Sequence, residues 1–249
     1  MKKLINLLFL MQIAFSITAQ TLTEQANNAY SEGDYTKAEQ LYKELIEQST
    51  GESPEVYYNL GNTYYRLNKT VSAILYYERA LLFDPGNKDI LFNLEIAKLK
   101  TVDRIESVDE FFLTKWINSL RDNYSTAQWS TTALISFLLL VACLFLFFFS
   151  RKIFLKKIGF FAGLTLVVVC IFSNIFAYQQ KKKMLEGNTA IIFSPTTIIK
   201  SSPDASGNDL FILHGGTKIE IKSKLGDWSE IETSDGNVGW IRSNEIEII

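Results

Sequence analysis

Cysteine, proline and glycine are scarce in this sequence. The 249 residues include 2 cysteines, 4 prolines and 13 glycines, which excludes a disulfide-rich scaffold and a collagen-like chain. A basic excess is also missing, because 25 Lys and Arg stand against 27 Asp and Glu for a formal net charge of −2. Nucleic-acid-binding proteins usually carry a clear basic excess, so this class is not expected. Apolar residues make up 47% of the chain, which excludes a disordered protein and indicates apolar blocks between polar domains.

The sequence contains no catalytic constellation of residues. His214 is the only histidine, and it precedes two glycines in a predicted turn. A serine or cysteine hydrolase normally needs a positioned base. The sequence also lacks a GxSxG motif, a phosphate-binding loop, an HExxH motif and cysteines at metal-binding spacing. We therefore predict a non-enzymatic protein without a cofactor or a metal site, in which His214 has a structural or surface role.

The first apolar block predicts a signal peptide over residues 1–19. Lys2 and Lys3 precede an apolar stretch that ends at Phe15, and small residues follow up to Ala19. The stretch is shorter than the roughly 20 residues that a membrane-spanning helix needs. The alternative is an uncleaved anchor, and in both cases the following residues are exported.

Two further apolar blocks predict a transmembrane hairpin. Residues 130–150 and residues 158–178 each form 21 consecutive residues without a charge, and Cys143 and Cys170 lie inside them. The predicted loop 151–157 holds four Lys and Arg side chains, and short loops of this kind stay in the cytoplasm. Three lysines after the second block weaken this signal, but the signal peptide supports the same orientation. We predict a two-pass bacterial inner-membrane protein with both folded flanks in the periplasm.

Residues 20–100 combine helical periodicity with an internal repeat. Ala38 and Ala73 are 35 residues apart, and Tyr42 and Tyr77 share this offset. Small residues occur where two helices would approach each other, and aromatic residues surround them. The unit from Pro54 to Asn87 shows the full pattern: Tyr57, Leu60, Gly61, Tyr64, Ala73, Tyr77, Ala80 and Pro85. This pattern resembles the tetratricopeptide repeat family.

Weaker units flank this central one. The first covers about residues 19–52 and lacks the closing proline, and a third begins at Lys88 and soon loses the pattern, as expected of a capping helix. We expect Ser53 to cap the first helix of the central unit, with Pro54 at its first position. Pro85 should end the second helix of that unit.

The tetratricopeptide resemblance implies a scaffold that binds peptides on its concave face. The first helix of each unit would line this partner-binding groove, with these candidates: Tyr58, Asn62, Tyr65, Arg66, Asn27 and Tyr30. The alternative is that Asn62 and Tyr65 only follow the general repeat pattern. Residues 20–128 contain 11 Lys and Arg against 17 Asp and Glu, which makes an anionic ligand less expected, although Arg66 could hold a carboxylate.

Residues 101–129 form a predicted amphipathic linker. Its large apolar side chains recur near helical spacing, with polar side chains between them: Phe111, Phe112, Leu113, Trp116, Ile117 and Leu120. This segment is either a helix at the membrane surface or the second helix of the degenerate third repeat. The pattern alone does not separate the two.

Residues 187–249 change to strand signals and predict a small β-barrel, within the segment 179–249 that we assign to an SH3-like domain. Turn sequences rich in Gly, Ser, Asn and Asp separate six candidate strands: 189–193, 197–200, 210–213, 218–223, 228–232 and 238–241. A closed barrel would hide the strand edges of so small a domain.

The order of motifs in this segment resembles the bacterial SH3-like domain. Residues 198–203 correspond to its Val-Arg-Ser-x-Pro stretch, with Lys200 in place of the usual Arg, and residues 235–241 correspond to its closing Asp-Gly-x-x-Gly-Trp-Val. Trp228 and Trp240 are expected in the barrel core, because a small barrel needs large side chains. The alternative is a possible SH3-like groove, which would bind peptides or cell-wall peptides as in some relatives.

The complete order of segments resembles the BatE family of the Bacteroides aerotolerance operon. The junction before the first span carries this resemblance as well: Phe111–Leu113, Trp116, Ser119–Arg121 and Trp129. It implies a periplasm-facing protein that acts beside von Willebrand A-domain membrane proteins and a MoxR-type ATPase.

The predicted fold class is a multidomain α + β membrane protein: an α-helical tetratricopeptide array, a two-helix transmembrane hairpin and a C-terminal SH3-like β-barrel. We predict a non-enzymatic protein–protein interaction adaptor. The alternative is a cell-envelope sensor whose SH3-like domain binds peptidoglycan peptides.

Overall fold

The helices of the repeat region follow the predicted pattern. The computed structural model describes residues 22–48, 53–105 and 111–249, so the predicted signal peptide lies outside the described residues. Five helices cover the repeat region: α1 (22–31), α2 (Tyr35–Gln48), α3 (Pro54–Arg66), α4 (Thr70–Phe83) and α5 (Lys88–Lys98). Helices α3 and α4 together form the central repeat unit.

Close packing of small and aromatic residues holds α3 against α4. Gly61 faces Tyr77, and a Cβ on Gly61 would lie 2.7 Å from the Tyr77 ring. Leu60, Ala73 and Ala80 are completely buried in the same core. The capping prediction was wrong in one respect: Ser53 is the N-cap residue of α3 and Pro54 follows it, but the Ser53 side chain makes no cap hydrogen bond. The extended backbone of Ser53 and the fixed φ of Pro54 start the helix without it.

Seven antiparallel strands form the C-terminal sheet. They are β1 (Thr189–Ile192), β2 (Thr196–Lys200), β3 (Asp209–His214), β4 (Lys218–Leu225), β5 (Trp228–Thr233), β6 (Val238–Arg242) and β7 (Ile246–Ile248). Their order in the sheet is β3-β2-β6-β5-β4-β1-β7. Phe211 and Leu213 of β3 and Ile246 of β7 pack into one shared core, so the sheet curves until its outer strands face the same interior.

Strand β1 is buried on both of its sides. Ala190 and Ile192 belong to the core of the sheet, whereas Ile191 belongs to the core of the repeat helices. Because successive side chains of a strand point to opposite faces, a single strand can pack against both cores. The repeat helices and the sheet accordingly belong to one compact unit, although the hairpin separates them in sequence.

The turn between β3 and β4 also packs against the repeat helices. A Cβ on Gly215 would lie 3.1 Å from Val71 Cγ2, and a Cβ on Gly216 would lie 2.6 Å from Thr101 Cγ2 and 3.2 Å from Ile74 Cδ1. Gly216 has φ +97°, a conformation that residues with a side chain rarely adopt. The two glycines therefore permit this close contact.

The second compact unit contains the apolar hairpin. Its helices are α6 (Phe112–Asp122), α7 (Thr126–Phe149) and α8 (Ile153–Glu186). Helices α7 and α8 are long and apolar enough to cross a membrane. Only 11% and 17% of their most apolar windows are buried, unlike core helices of soluble proteins, which are mostly buried.

The helices of this unit extend beyond the predicted spans. Helix α8 begins at Ile153, so Lys156 and Lys157 of the predicted loop lie on its first turns, and it ends at Glu186, inside the segment assigned to the SH3-like domain. Gly159 permits close packing on α7, because a Cβ there would lie 2.8 Å from the carbonyl oxygen of Cys143. Both cysteines are free thiols. Helix α6 belongs to the same compact unit as the hairpin.

Candidate partner-binding groove

Four repeat helices line an open cavity of about 230 Å³. The residues around it come from α1, α3, α4 and α5: Tyr30, Asn62, Tyr65, Arg66, Tyr77, Asn93 and Ile96. Four of the six predicted groove residues are among them, whereas Asn27 and Tyr58 are not. The spacing of the α3 residues explains the arrangement, since positions three and four apart share one helix face. We call this cavity the candidate partner-binding groove.

Helix α5 contributes residues that the sequence analysis missed. Asn93 Nδ2 donates to Asn62 Oδ1 at 2.9 Å and to the Tyr58 hydroxyl oxygen at 2.9 Å. Ile96 supplies an apolar wall one turn further on. The unit that begins at Lys88 departs from the repeat pattern. Only the helical spacing of Asn93 and Ile96 could have indicated that both side chains lie on the same face of α5 as the groove.

Asn27 and Asn62 perform the same structural task in successive units. Each Oδ1 accepts a hydrogen bond from a buried tyrosine of the next helix, at 2.6 Å from Tyr42 and 2.8 Å from Tyr77. Burial raises the pKa of Tyr42 to about 12 and also raises the pKa of Tyr77, so both hydroxyls remain protonated donors. These two asparagines therefore fix the angle between paired helices, and Asn62 additionally faces the groove.

Aromatic rings and cations form the exposed rim of the groove. Arg66 is exposed, and its Nε donates to the Tyr35 hydroxyl oxygen at 3.0 Å. Lys100 Nζ lies 3.8 Å from the centre of the Tyr65 ring. Burial raises the pKa of Tyr30, although the nearby Arg66 guanidinium acts in the opposite direction. The groove thus combines apolar walls with two positive charges at its edge.

Buried polar contacts connect the helices behind the groove to the sheet. Glu78 of α4 has only 6% of its side chain exposed and accepts hydrogen bonds from Lys98 Nζ at 2.9 Å and Lys218 Nζ at 2.6 Å. Burial alone would raise the pKa of Glu78, but Lys218 and Lys98 lower it to about 2. Glu78 therefore stays ionised and holds α4, α5 and β4 together.

A second polar cluster centres on Asp103. Its carboxylate accepts hydrogen bonds from the His214 backbone N–H at 2.6 Å and the Thr217 hydroxyl at 2.7 Å, and it lies 2.7 Å from His214 Nδ1. Burial opposes ionisation of Asp103, but these hydrogen bonds prevail and hold its pKa below the ordinary value. His214 and Thr217 thus tie the β3–β4 turn to the segment that follows α5. Arg79 of α4 donates to Glu247 Oε1 of β7 at 3.1 Å and to the Ile248 carbonyl oxygen at 2.6 Å.

Trp228 and Trp240 lie on the outer face of the sheet, so the expectation that they fill the core was wrong. Both are half-buried, whereas the alternate residues Ile231 and Ile241 are completely buried. The strand register puts Trp228 opposite Arg242, whose guanidinium lies 5.2 Å from the indole ring. The sheet core is instead filled by isoleucines, because β-branched side chains pack well between curved strands.

Family models match two segments of the chain. A model for the tetratricopeptide repeat matches residues 54–87, and a model for the bacterial SH3 domain matches residues 195–247. The second match begins after β1, the strand that packs against the repeat helices. A search of curated proteins finds no match to the chain. The protein thus contains a tetratricopeptide repeat and a bacterial SH3 domain, which are non-catalytic interaction domains, joined in sequence by two candidate membrane-spanning helices.

Proposed function

We propose that this protein is a non-enzymatic, membrane-anchored adaptor that binds a partner protein in the partner-binding groove. The observation that carries the proposal is the open cavity of about 230 Å³, in which four predicted residues meet. Hydrogen bonds on Asn62 already fix the floor of this cavity, so a peptide would meet a preorganised surface.

The groove chemistry favours an extended peptide with a carboxylate and an apolar side chain. Tyr30, Tyr65 and Ile96 offer apolar contact area. Arg66 stands at the edge, where its planar guanidinium can bind a carboxylate with two hydrogen bonds. Because residues 20–128 carry more acidic than basic side chains, we expect the bound peptide to have a single acidic group, located at Arg66.

The proposed location is the bacterial inner membrane, with both folded flanks in the periplasm. Residues before the hairpin, such as Asp103, contact residues after it, such as His214. Since these flanks pack together, they lie on the same side of any membrane that the hairpin crosses. The cationic short connection and the N-terminal pattern support the periplasmic side.

The order of segments supports a place in an aerotolerance-type complex of the BatE kind. In such a complex, von Willebrand A-domain membrane proteins would be the bound partners and a MoxR-type ATPase would act beside them.

The test is co-purification of partner proteins from native membranes with wild-type protein and the Arg66→Ala and Tyr65→Ala variants. Both variants should lose the same partner and keep their helical circular dichroism. Lys88→Ala removes an exposed cation of α5 outside the groove and serves as the control. If all four proteins retain the same partners in equal amounts, the groove does not bind them.

A second candidate function is that of a cell-envelope sensor. Its specific support is the outward position of Trp228 and Trp240 on neighbouring strands, with Arg242 over the Trp228 ring. Aromatic rings on the surface of an antiparallel sheet can bind short peptides, including those of peptidoglycan. Retention of the full chain on purified sacculi, with loss in Trp240→Ala, would favour this function; no retention of the wild type would exclude it.

A further inference from the structure

We propose that helix α6 (Phe112–Asp122) lies in the headgroup layer of a phospholipid membrane, with its apolar face towards the acyl chains. The proposal rests on the membrane insertion of α7 and α8 proposed above. It adds a lipid-binding surface outside the two spans and assigns it to the residues that precede them.

The apolar face of α6 has no protein cover in the described chain. None of the residues of this helix is buried, and Phe112 and Trp116 are 68% and 64% exposed. Leu113, Ile117 and Leu120 extend the same face at helical spacing. In water such a face would be costly, whereas an interfacial helix of this kind buries it among acyl chains.

Hydrogen bonds fix the end of α6 at one height on the hairpin. The carbonyl oxygen of Arg121 accepts from Trp129 Nε1 at 2.9 Å and from Gln180 Nε2 at 2.8 Å. Gln180 Nε2 also donates to the Tyr124 carbonyl oxygen at 2.6 Å. The last residue of the second charge-free block is Tyr178, so Gln180 lies about 3 Å beyond it along the helix axis. The end of α6 is therefore at the boundary of the apolar spans.

Aromatic side chains mark the same height. The Trp129 ring contacts Tyr124 and Phe176 edge-on, with centroid distances of 5.2 and 5.0 Å. Tryptophan and tyrosine concentrate at the headgroup level of membrane proteins, because their rings are apolar and their N–H and O–H groups are polar. The cluster thus identifies this end of the hairpin as an interface with lipid headgroups.

Lipid is the occupant that these observations favour over a protein partner. The C-terminal end of α6 is bonded to the hairpin where the charge-free part of the spans ends, so one membrane can reach both. Lys115 is exposed on the polar side of α6, where it can meet anionic phosphates. A protein partner would have to compete with the bilayer at this depth.

The experiment uses the full chain with Cys143→Ser and Cys170→Ser, reconstituted into vesicles of phosphatidylcholine and phosphatidylglycerol. An environment-sensitive fluorophore is attached to a new cysteine in Leu113→Cys on the apolar face or Thr114→Cys on the polar face. Leu138→Cys in α7 reports insertion of the hairpin. Lipids that carry a nitroxide near the headgroup end of the acyl chain are the quencher.

We expect blue-shifted emission and strong nitroxide quenching for the Leu113→Cys label, and red-shifted, weakly quenched emission for the Thr114→Cys label. Adding Trp116→Glu should reduce the quenching at position 113. Equal, weak quenching at 113 and 114 with a lipid-embedded label at 138 would overturn the proposal and leave the membrane anchor intact. An aqueous label at 138 would overturn the proposed anchor itself and this proposal with it.

Discussion

Glu78 and Lys218 form an ion pair across 140 residues of sequence, with 2.6 Å between Oε2 and Nζ. The carboxylate is almost completely buried, and Lys98 neutralises it from the other side. Because the hairpin lies between these residues in the chain, the last domain returns to complete the packing of the repeat helices. The repeat helices and the SH3 domain therefore act as one body rather than as two modules on a flexible tether.

The first prediction concerns this ion pair. Glu78→Gln should lower the free energy of unfolding by about 2 kcal/mol, as expected for lost hydrogen bonds to a charged group. Thermal unfolding of the detergent-solubilised full chain, followed by circular dichroism, measures the change. Glu95→Gln on α5 removes an exposed carboxylate and should have little effect. Equal unfolding temperatures for the two variants would contradict the structural role of Glu78.

The second prediction is the pH dependence of the same contribution. Glu78 has a folded pKa of about 2 against an ordinary value of 4.5, so the unfolded chain takes up its proton first as the pH falls. The stabilisation by Glu78 should be complete above pH 4.5 and should decline towards pH 2. The difference in unfolding temperature between wild type and Glu78→Gln, measured across this range, should shrink. A constant difference would show that the Glu78 pKa is not lowered.

The third prediction compares two glycines with positive φ. Gly216→Ala and Gly226→Ala both impose about 1 kcal/mol of backbone strain. A Cβ on Gly226 meets nothing within 4 Å, whereas a Cβ on Gly216 meets Thr101 and Ile74. Gly216→Ala should therefore destabilise the protein more than Gly226→Ala does. It should also loosen the contact between the repeat helices and the sheet, which would increase cleavage by proteases. Identical effects of both substitutions would exclude tight packing at the β3–β4 turn.

The fourth prediction tests packing inside the central repeat. Gly61→Leu should unfold the repeat helices, because its side chain would collide with the Tyr77 ring. Glu55→Leu introduces the same residue on an exposed position of α3 and should leave the helical signal intact. Circular dichroism melting provides the comparison. A wild-type melting curve for Gly61→Leu would refute this packing.

The fifth prediction concerns membrane topology. Alkaline phosphatase, which is active only outside the cytoplasm, should be active when fused after Lys100 or after Ile249. It should be inactive when fused after Arg151, in the connection between α7 and α8. Activity only in the Arg151 fusion would reverse the proposed orientation and assign both folded flanks to the cytoplasm.

Local patterns predicted the elements well where short-range packing creates them. The repeat unit was visible because Gly61, Ala73 and Ala80 must be small where helices meet. Six of the seven strands were predicted with small shifts at their ends. Strand β7 (Ile246–Ile248) was missed, because three residues after a short 3₁₀ helix carry little periodicity and pair only with the distant β1.

The candidate groove was only partly predictable. Tyr30, Asn62, Tyr65 and Arg66 follow from the spacing of the first helices, but Asn93 and Ile96 lie on a helix whose sequence departs from the family pattern. The two tryptophans of the sheet were wrongly expected in the core. Alternation along a strand shows which residues share a face, but it does not show which face points to the core. Completely buried isoleucines at alternate positions, such as Ile231, already occupied that face.

Local sequence patterns specify the segments of the chain: a helical repeat, two apolar blocks of membrane-spanning length and a small all-β domain. Each depends on the periodicity or composition of neighbouring residues. The packing of Ile191 in the core of the repeat helices and the ion pair between Glu78 and Lys218 arise only when the whole chain folds. These contacts join residues more than 100 positions apart, and they depend on complementary shapes and charges that no local pattern encodes.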